Sequence, residues 1–267
     1  MTLTNFLSYY MAITNSCAVS GYGVDSNPIY SIIKPTRAGE QQDQPMAGSN
    51  IDEQASKDFD DALQLWNRTN NVILKRFGDS NILPYVHATL VFINHLAHFP
   101  DAIALVAPTF PWKLMSLMLN TLQISPESYA RIQIEGFPLP TKNDLLRCLP
   151  EDYALSGLLW GDKYFPSDWF KNDKTEADER MLELSSMVEE RKIRCLFPGY
   201  RIAQQNKWLK FDPESRQFGV APEHDTESNP VELLVSGAKV QNLPCALQSV
   251  GAVLAPGGPP FDHLAQC

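Results

Sequence analysis

Apolar side chains recur every three or four positions through the middle of the chain, which is the spacing of one face of an α-helix. The clearest run begins at residue 58 and consists of Phe59, Leu63, Trp66, Ile73 and Phe77, with the polar Asn70 on the same face. Gly78 follows at a position where helices often end. The pattern predicts an amphipathic helix over residues 58–77 that turns this face toward a core.

Capping residues and prolines divide the sequence that follows into further helices. Asn81 is a suitable cap for a second helix, which has Pro84 in its first turn and stops before Pro100. Pro111 opens a third helix, and Ser125 is placed to cap a fourth. This order of caps and apolar runs predicts a series of helices joined by short turns.

A longer helix is predicted over residues 176–206, with a kink at Pro198 because proline removes one backbone donor. No segment shows the sustained alternation of a strand or the turn residues of a tight hairpin. We therefore predict an all-α fold of stacked antiparallel helical hairpins, tetratricopeptide-like in arrangement but without a readable repeat.

The chain divides into three regions by composition. Residues 1–57 contain a first helix, over residues 3–18, and then a polar segment rich in Gly, Pro and Ser that we interpret as a mobile linker. Because such a linker is unusual inside a compact domain, we expect the first helix to pack weakly or to belong to a larger unit. Residues 58–210 form the helical domain, and residues 211–267 are predicted to be a loosely structured, disordered tail.

Composition narrows the class of protein. The 267 residues are 44% hydrophobic and 20% charged, which is typical of a globular protein with a core. The net charge of −9 excludes a protein that coats nucleic acid with a general positive surface, so any such contact must be local. Five scattered cysteines indicate a reducing compartment. No apolar run reaches the roughly 18 residues of a membrane span, so no membrane contact is expected.

Two histidines share a predicted helix face in the sequence HLAHFPD. His95 and His98 are three positions apart, a spacing that a metal ion accepts, and Asp101 would be a third ligand. Asp101 follows Pro100, however, and no second pair of ligands has matching spacing. The simpler interpretation is two surface or groove histidines at a helix end, where positive charge is favoured. We expect no metal and no cofactor.

Four carboxylates lie close together after residue 150, and paired carboxylates can carry out acid–base chemistry. They are Glu151, Asp152, Asp162 and Asp168. Adjacent Glu151 and Asp152 do not share a helix face, and the helix dipole explains their place after Pro150. The chain has no nucleophile-elbow, phosphate-loop or zinc-protease motif. These observations favour a protein that is not an enzyme.

Residues 191–210 contain six basic and no acidic side chains. On an undistorted helix Arg191, Arg194 and Arg201 lie within one arc, whereas Ile193, Leu196, Phe197 and Tyr200 lie on another face. With Lys192, the three arginines form a candidate basic face for phosphate contact. The alternative is an ordinary solvated charged face, whose positive field an intrahelical pair of Glu190 and Arg194 would reduce.

Aromatic side chains are dense between residues 160 and 170: Trp160, Tyr164, Phe165, Trp169 and Phe170. Exposed, they could stack on bases or hold a peptide. Buried, they would form part of the core, which is the more common role and the interpretation we favour.

Two long motifs are LPEDYALSGLLWGDKYFPSDWF, from Leu149 to Phe170, and MVEERKIRCLFPGYRIA, from Met187 to Ala203. Both are similar to the signature of the telomerase-binding DNA/RNA-binding domain family of the ever-shorter-telomere type. The upstream stretches FGDSNILPYVHATLVFINHLAHFPDAI and FPWKLMSLMLNTL resemble its filamentous-fungal branch. The resemblance covers about residues 58–210.

The resemblance implies stacked helical hairpins in an adaptor without an active site. Members of the family act in telomerase recruitment and nonsense-mediated mRNA decay, which implies the nucleus or cytoplasm. The implied partners are single-stranded nucleic acid, components of telomerase or decay ribonucleoproteins, and other proteins. Full-length relatives carry a preceding tetratricopeptide-like domain, for which the residues before position 58 are too few, so a fragment is expected.

Carried over by position, the motif residues are expected to be mostly structural. They are Leu149, Pro150, Glu151, Asp152, Gly157, Trp160, Asp168, Trp169, Glu190, Arg191, Gly199 and Arg201. The chain has Ser156 where the family tends to have Arg, and Pro198 where it has a helix-compatible residue. Because both departures weaken a basic surface, the alternative function is a protein-interaction scaffold that does not bind nucleic acid.

Overall fold

The computed structural model describes residues 3–34, 53–122, 124–140, 147–172, 175–176, 179–180, 182–184 and 186–225. Within these ranges the chain is mainly helical, as predicted. The helices are α1 (Leu3–Val19), α2 (Pro28–Ile33), α3 (Glu53–Ile73), α4 (Leu83–Leu96), α5 (Pro100–Val106), α6 (Trp112–Asn120), α7 (Pro126–Ile132), α8 (Pro150–Leu155), α9 (Trp169–Asn172) and α10 (Met187–Gln204). Two strands follow, β1 (Leu209–Asp212) and β2 (Gln217–Val220). The predicted disordered tail beyond residue 225 lies outside the described residues.

Helix α4 is the centre of the fold. Every residue from Leu83 to Ile93 is buried, and so are His95 and Leu96. A helix that is buried on all sides is mostly apolar around its whole circumference. Helices α1 and α10 form the largest contacts with α4, and α5 and α8 also touch it. The polar side chains of His87 and His95 are enclosed together with the apolar ones.

The N-terminal region packs more firmly than the sequence predicted. Helix α1 lies against α3 and α4 and buries Tyr9, Ala12 and Val19. The expectation of weak packing is therefore wrong. Helix α2 lies inside the predicted linker, of which residues 35–52 are outside the described ranges. The Asn27 side chain starts this short helix by accepting hydrogen bonds from the backbone of the second and third residues that follow it, each 2.9 Å long.

The predicted amphipathic helix is confirmed in α3, which buries Phe59, Leu63, Trp66 and Asn70. It ends at Ile73, before the predicted boundary, and Gly78 lies in the following turn with a φ of +79°.

Capping side chains explain where the next helical elements begin. Asp79, and not Asn81, caps the turn before α4, because its Oδ1 accepts the Asn81 N–H at 3.0 Å. Ser125 caps α7 as predicted.

The long predicted helix over residues 176–206 is wrong in its first part. Helix α10 begins at Met187 and continues through Pro198 to Gln204. Pro198 itself is buried in that helix. The acidic segment before Met187 therefore does not extend α10, and one of its residues, Glu183, folds back onto the helix as described below.

A β-hairpin crosses the predicted domain boundary at residue 211. Strands β1 and β2 are antiparallel, with Phe211 opposite Phe218. The Asp212 carboxylate holds the turn by accepting the backbone N–H of Glu214 at 3.1 Å and of Ser215 at 3.3 Å. Strands of four residues leave too few positions for a readable alternation, which is why the sequence showed no hairpin.

The hairpin is attached to α6 through a side-chain amide. Asn120 donates from Nδ2 to the Phe218 carbonyl at 2.9 Å, and its Oδ1 accepts the Phe218 N–H at 2.7 Å. Trp112 of α6 stacks on Trp208, with ring centres 5.9 Å apart. These contacts make the hairpin part of the helical body.

The aromatic residues after position 160 form core, as we favoured. Trp160, Tyr164, Phe165 and Trp169 are all buried, whereas Phe170 is partly exposed. Tyr164, Phe165 and Trp169 surround the ring of Phe137, with ring centres 4.7–5.7 Å apart. This cluster lies between α8 and α10 and forms one wall of the site described next.

Candidate functional site

Two arginines of α10 bind two carboxylates of α8 inside the protein. Glu151 and Asp152 lie in the first turn of α8, and Arg191 and Arg194 lie one turn apart on α10. None of the four side chains is more than 1% exposed. We call these four residues the buried ion-pair cluster.

Arg191 binds Glu151 through two parallel contacts. Its Nε donates to Oε1 at 2.6 Å, and its Nη2 donates to Oε2 at 3.0 Å. The same guanidinium donates to both oxygens of Glu183, at 2.6 and 3.2 Å. Two carboxylates thus share one arginine, and the planar fork of that side chain suits this geometry. Glu183 covers the outer side of the pair and is itself 18% exposed.

Arg194 is held by charge and by aromatic rings. Its Nη2 donates to Asp152 Oδ2 at 3.2 Å, and its Nε donates to Glu190 Oε1 at 3.3 Å. Its guanidinium carbon lies 3.8 Å from the ring centre of Phe137 and 4.7 Å from that of Trp169. A cation over aromatic faces is attracted by the negative charge density of the rings. The expected pair of Glu190 and Arg194 is therefore present.

The two adjacent carboxyls have opposite pKa shifts. Burial opposes the ionisation of Glu151, but the charge of Arg191 and the hydrogen bonds from His87 and Arg191 hold its pKa well below the usual range. Burial is the dominant influence on Asp152 and raises its pKa despite the charge of Arg194. The hydrogen bonds of Asp152 agree with its raised pKa. Leu149 N–H, Trp169 Nε1 and Arg194 all donate to its Oδ2, whereas its Oδ1 has no partner within the described residues.

His87 extends the cluster into α4. Its Nδ1 lies 3.4 Å from Glu151 Oε1, and its Nε2 lies 3.1 Å from the Tyr164 hydroxyl oxygen. The His87 and Glu151 side chains are both 0% exposed. One histidine thus contacts both a carboxylate and a hydroxyl, and all three residues are buried in the protein.

A further ion pair joins α7 to α10. Arg131 Nη2 donates to both oxygens of Glu190, at 2.9 and 2.8 Å. Arg131 also donates to the carbonyl oxygens of Pro138 and Leu139, each at 2.8 Å. Glu190 therefore connects Arg131 with Arg194, and α10 is tied to two helices by charge.

The predicted basic face is wrong at its centre. Arg191 and Arg194 are buried because acidic residues from α8 and the segment before α10 neutralise them. Lys192 is partly exposed and binds Glu189 at 2.7 Å. Arg201 lies partly exposed in the last turn of α10. The helix dipole accounted for Glu151 and Asp152 in the sequence, and both are among the motif residues expected to be structural, but their pairing with Arg191 and Arg194 was not predicted. The apolar Leu149 and Leu155 on either side of them are a sign of burial in the sequence.

The other motif residues divide into buried and exposed groups. Leu149, Pro150, Trp160, Trp169 and Gly199 are buried, Glu190 is partly exposed, and Gly157 and Asp168 are exposed. Gly199 permits close helix contact, because a Cβ there would lie 2.8 Å from Leu119 Cδ1 of α6. Ser156 ends α8 and is exposed. Most of the motif residues thus form the contact between α8, α10 and the core.

The two histidines of the metal hypothesis lie in different environments. His98 is exposed, whereas His95 is only 5% exposed and lines a cavity. The surface interpretation therefore fits His98, and the groove interpretation fits His95. Burial, together with the nearby charges of Lys163 and His98, lowers the pKa of His95 to about 4. In the described part of the chain no three His, Cys, Asp or Glu side chains are grouped in a way that could hold a metal ion.

Comparisons of the chain with protein-family models, with curated proteins and with solved structures find no match in any of the three. Among the helices that the structure describes, none combines the length and apolar character needed to cross a bilayer.

Proposed function

We propose that the chain is a non-enzymatic helical adaptor that acts by binding other proteins. The observation that carries this proposal is the burial of Arg191 and Arg194 in the buried ion-pair cluster. These side chains were the centre of the predicted nucleic-acid face, and they hold helices together instead. The family resemblance supports the adaptor class, with roles in telomerase recruitment or mRNA decay and a tetratricopeptide-like stacking of helices.

The geometry around His87 supports a function without catalysis. His87, Glu151 and Tyr164 have the residue types of an acid–base site. A catalytic group must lie within hydrogen-bond reach of its substrate. Because the side chains of His87 and Glu151 have no exposed surface, a substrate cannot touch them in this conformation. Their contacts serve to fix α4 against α8.

The outer face of α3 offers an apolar surface for a protein partner. Leu65 and Val72 are 57% and 66% exposed, and their spacing of seven residues places them on one face of the helix. On α1, Leu7 and Met11 are four residues apart and are 54% and 42% exposed. Exposed apolar side chains arranged along a helix are typical of protein-binding surfaces.

A capture experiment with nuclease treatment tests the proposal. The tagged protein and the variant Leu65→Glu/Val72→Glu are incubated with extract, and bound proteins are identified after digestion of all nucleic acid. The control is Gln64→Glu/Arg68→Gln, which makes the same change in charge at exposed positions of the same helix. We expect nuclease-resistant partners that the control retains and the Leu65/Val72 variant loses. Partners that disappear on nuclease treatment would contradict the proposal.

A second candidate function is nucleic-acid contact at the end of α10, and one observation favours it. A groove of about 450 Å³ is lined by Tyr200, Lys210 and Phe211, and also by Asp212, whose carboxylate accepts hydrogen bonds within the hairpin turn. The rings of Tyr200 and Phe211 lie 5.2 Å apart and both are partly exposed. Lys207 is exposed just before β1. Aromatic rings beside positive charge are the elements that hold single strands by stacking and phosphate contact.

Fluorescence anisotropy decides whether this groove binds nucleic acid. Labelled single-stranded RNA and DNA are titrated at about 50 and 200 mM salt, since phosphate contacts weaken steeply with salt. If the groove binds nucleic acid, Lys207→Glu/Lys210→Glu should abolish the salt-dependent affinity for RNA and DNA. Lys57→Glu/Lys75→Glu, at one exposed position of α3 and one in the turn that follows it, makes the same charge change and should leave the affinity unchanged. Equal affinity in both variants would remove the groove as the binding site.

A further inference from the structure

The exposed side of α3 carries a regular stripe of six side chains. They follow one another at alternate intervals of four and three residues and are Gln54, Asp58, Asp61, Leu65, Arg68 and Val72, all of them exposed. At about 100° per residue they lie within an arc of about 80°. Two helices that pack along each other in a coiled coil use this spacing. We call these six residues the α3 stripe.

The α3 stripe is acidic before Leu65 and basic after it. Asp58 and Asp61 come first. Arg68 follows, and Lys75 is exposed in the turn just beyond the helix. Within the described part of the chain, none of these four charged side chains takes part in an ion pair. A helix dipole favours this order of charges only in the first and last turns, whereas Asp61 and Arg68 lie further inside. The dipole therefore does not explain them.

Reversal of the α3 stripe about Leu65 exchanges its acidic and basic halves. At about 1.5 Å per residue, Asp61 lies about 6 Å before Leu65 and Arg68 about 4.5 Å after it. Two copies that meet antiparallel at Leu65 therefore bring Asp61 of each chain beside Arg68 of the other. Asp58 and Lys75 lie about 10.5 and 15 Å from Leu65, a difference that the long lysine side chain spans. The stripe is thus complementary in charge to a second, reversed copy of itself.

We propose that the chain forms a two-fold symmetric dimer through antiparallel contact of two α3 stripes. The exposed Leu65 and Val72 side chains are then covered by the second copy, with Leu65 at the axis. Two-fold symmetry repeats each contact between Asp61 and Arg68. This inference goes beyond the proposed function, which concerns other proteins, although both use the apolar residues of α3. A second copy and another partner therefore compete for this surface.

The net charge of −9 on each chain opposes association only weakly at physiological salt. The Debye length there is about 8 Å, so charges spread over the rest of the two copies are largely screened from each other. Opposite charges in contact along the α3 stripes are closer together than this length. A single pair of helices about 30 Å long is a small interface, which indicates a weak dimer in exchange with the monomer.

Sedimentation equilibrium of the purified full chain tests the proposal. The chain is measured from about 5 to 500 µM at about 150 mM salt, and we expect a reversible equilibrium between monomer and dimer. Asp61→Arg and Arg68→Asp each bring like charges together twice, once on either side of the axis. Each variant alone should therefore weaken dimerisation at least about tenfold.

A mixture of these two variants tests the antiparallel geometry. One chain with Asp61→Arg and one chain with Arg68→Asp again bring opposite charges together in both contacts. An equimolar mixture should therefore dimerise with an affinity close to that of the unaltered protein. Because restored dimerisation requires both chains to be folded, it also excludes misfolding as the reason that each variant is weak alone.

Asp60→Arg is the matched control. It makes the same change in charge as Asp61→Arg at an exposed position about 100° further around the helix, and it should leave dimerisation unchanged. The capture control Gln64→Glu/Arg68→Gln should keep other proteins bound but weaken dimerisation, because Arg68 pairs with Asp61 across the axis. This difference separates self-association from the binding of other partners.

Three results would overturn the inference. They are a chain that stays monomeric at about 500 µM, a dimer that Asp61→Arg and Arg68→Asp do not weaken, and a mixture of the two that does not restore dimerisation. None of these results contradicts the proposed function, which the capture experiment tests with other proteins. A dimer that behaves as expected, together with no other protein captured from extract, would contradict the adaptor function alone.

Discussion

Arg191 and Glu151 are forty residues apart in the sequence and bind each other through two contacts of 2.6 and 3.0 Å, with neither side chain more than 1% exposed. The pair attaches α10 to the first turn of α8. Arg194 and Asp152 repeat the arrangement one helical turn further along. The two arginines of α10 are thus neutralised by two carboxylates of α8, a helix about forty residues earlier in the sequence.

Replacement of Glu151 by Gln should destabilise the protein strongly. It leaves the buried Arg191 guanidinium with one carboxylate instead of two, and breaking a buried ion pair costs about 3–5 kcal/mol. The free energy of unfolding is measured from urea curves followed by circular dichroism. Glu189→Gln breaks an exposed pair with Lys192 and should change it by less than about 0.5 kcal/mol. Equal stabilities of the two variants would show that the buried pair contributes little.

The double variant Glu151→Gln/Arg191→Met gives an independent measure of the same contact. Once the arginine is gone, the missing carboxylate leaves no buried charge unpaired. We therefore expect the double variant to lose less stability than the sum of the two single variants, with a coupling of about 1–3 kcal/mol. Additive losses would mean that the two side chains act separately.

Gly161→Ala should destabilise the loop that carries Trp160. A Cβ at this position would lie 2.1 Å from the carbonyl oxygen of Leu155, so the backbone after α8 would have to move. A loss of about 2 kcal/mol corresponds to a fall in Tm of about 4–8 °C for a chain of this size. Gly136→Ala is the matched control, because nothing lies within 4 Å of its added Cβ. Calorimetry gives the Tm of both variants. Similar Tm values would contradict the close approach of a Cβ at position 161 to the Leu155 carbonyl oxygen.

His95 should make stability fall in mild acid. Burial lowers its pKa in the folded protein to about 4 from an ordinary value of 6.5. Below pH 6.5 the unfolded chain therefore binds a proton that the folded protein does not, and stability decreases as the pH falls toward 4. The slope approaches about 1.4 kcal/mol per pH unit. Urea unfolding at several pH values should show a shallower slope for His95→Gln. His98→Gln removes only the smallest of the three influences on the pKa of His95, so its slope should stay close to that of the unaltered protein. A His95→Gln slope that matches the unaltered protein would refute this role.

Asn120→Ala should loosen the β-hairpin without unfolding the helices. The variant loses both hydrogen bonds to the Phe218 backbone, which are 2.9 and 2.7 Å long. An unpaired part-buried backbone group costs about 1–3 kcal/mol. Hydrogen exchange at the Phe218 amide should accelerate, while α4 amides stay protected. Thr121→Ala removes a hydrogen bond within α6 itself and should leave Phe218 unchanged. If the Phe218 amide of Asn120→Ala exchanges at the rate of the unaltered protein, pairing with β1 alone is enough to hold β2 in place.

Features that depend on neighbours in sequence were predictable. The face of α3, the Ser125 cap and the first turn of α8 follow from spacing and capping preferences within a few residues. Helix α2 was missed because six residues between polar segments produce no periodic signal. The hairpin was missed for the same reason, and its turn is held by Asp212 instead of by an Asn-Gly pair.

The candidate site shows where such reasoning stops. A basic helix face has the same spacing whether water or a carboxylate covers it, so Arg191 and Arg194 could not be placed from α10 alone. Their partners are forty and forty-two residues away. The pair His95 and His98 was found from its spacing, but the cavity that both residues line also needs Trp160, which lies sixty-two residues after His98 in another part of the fold.

The enclosed position of α4 has a consequence for synthesis of the protein on the ribosome. Helix α10 begins at Met187, about ninety residues after α4 ends at Leu96. At usual rates of translation this interval is roughly 5–20 s. During it the side of α4 that α10 covers in the folded protein has no cover from that helix. Because transiently exposed apolar surface favours aggregation, the nascent chain is most prone to aggregate before residues 187–204 have been made.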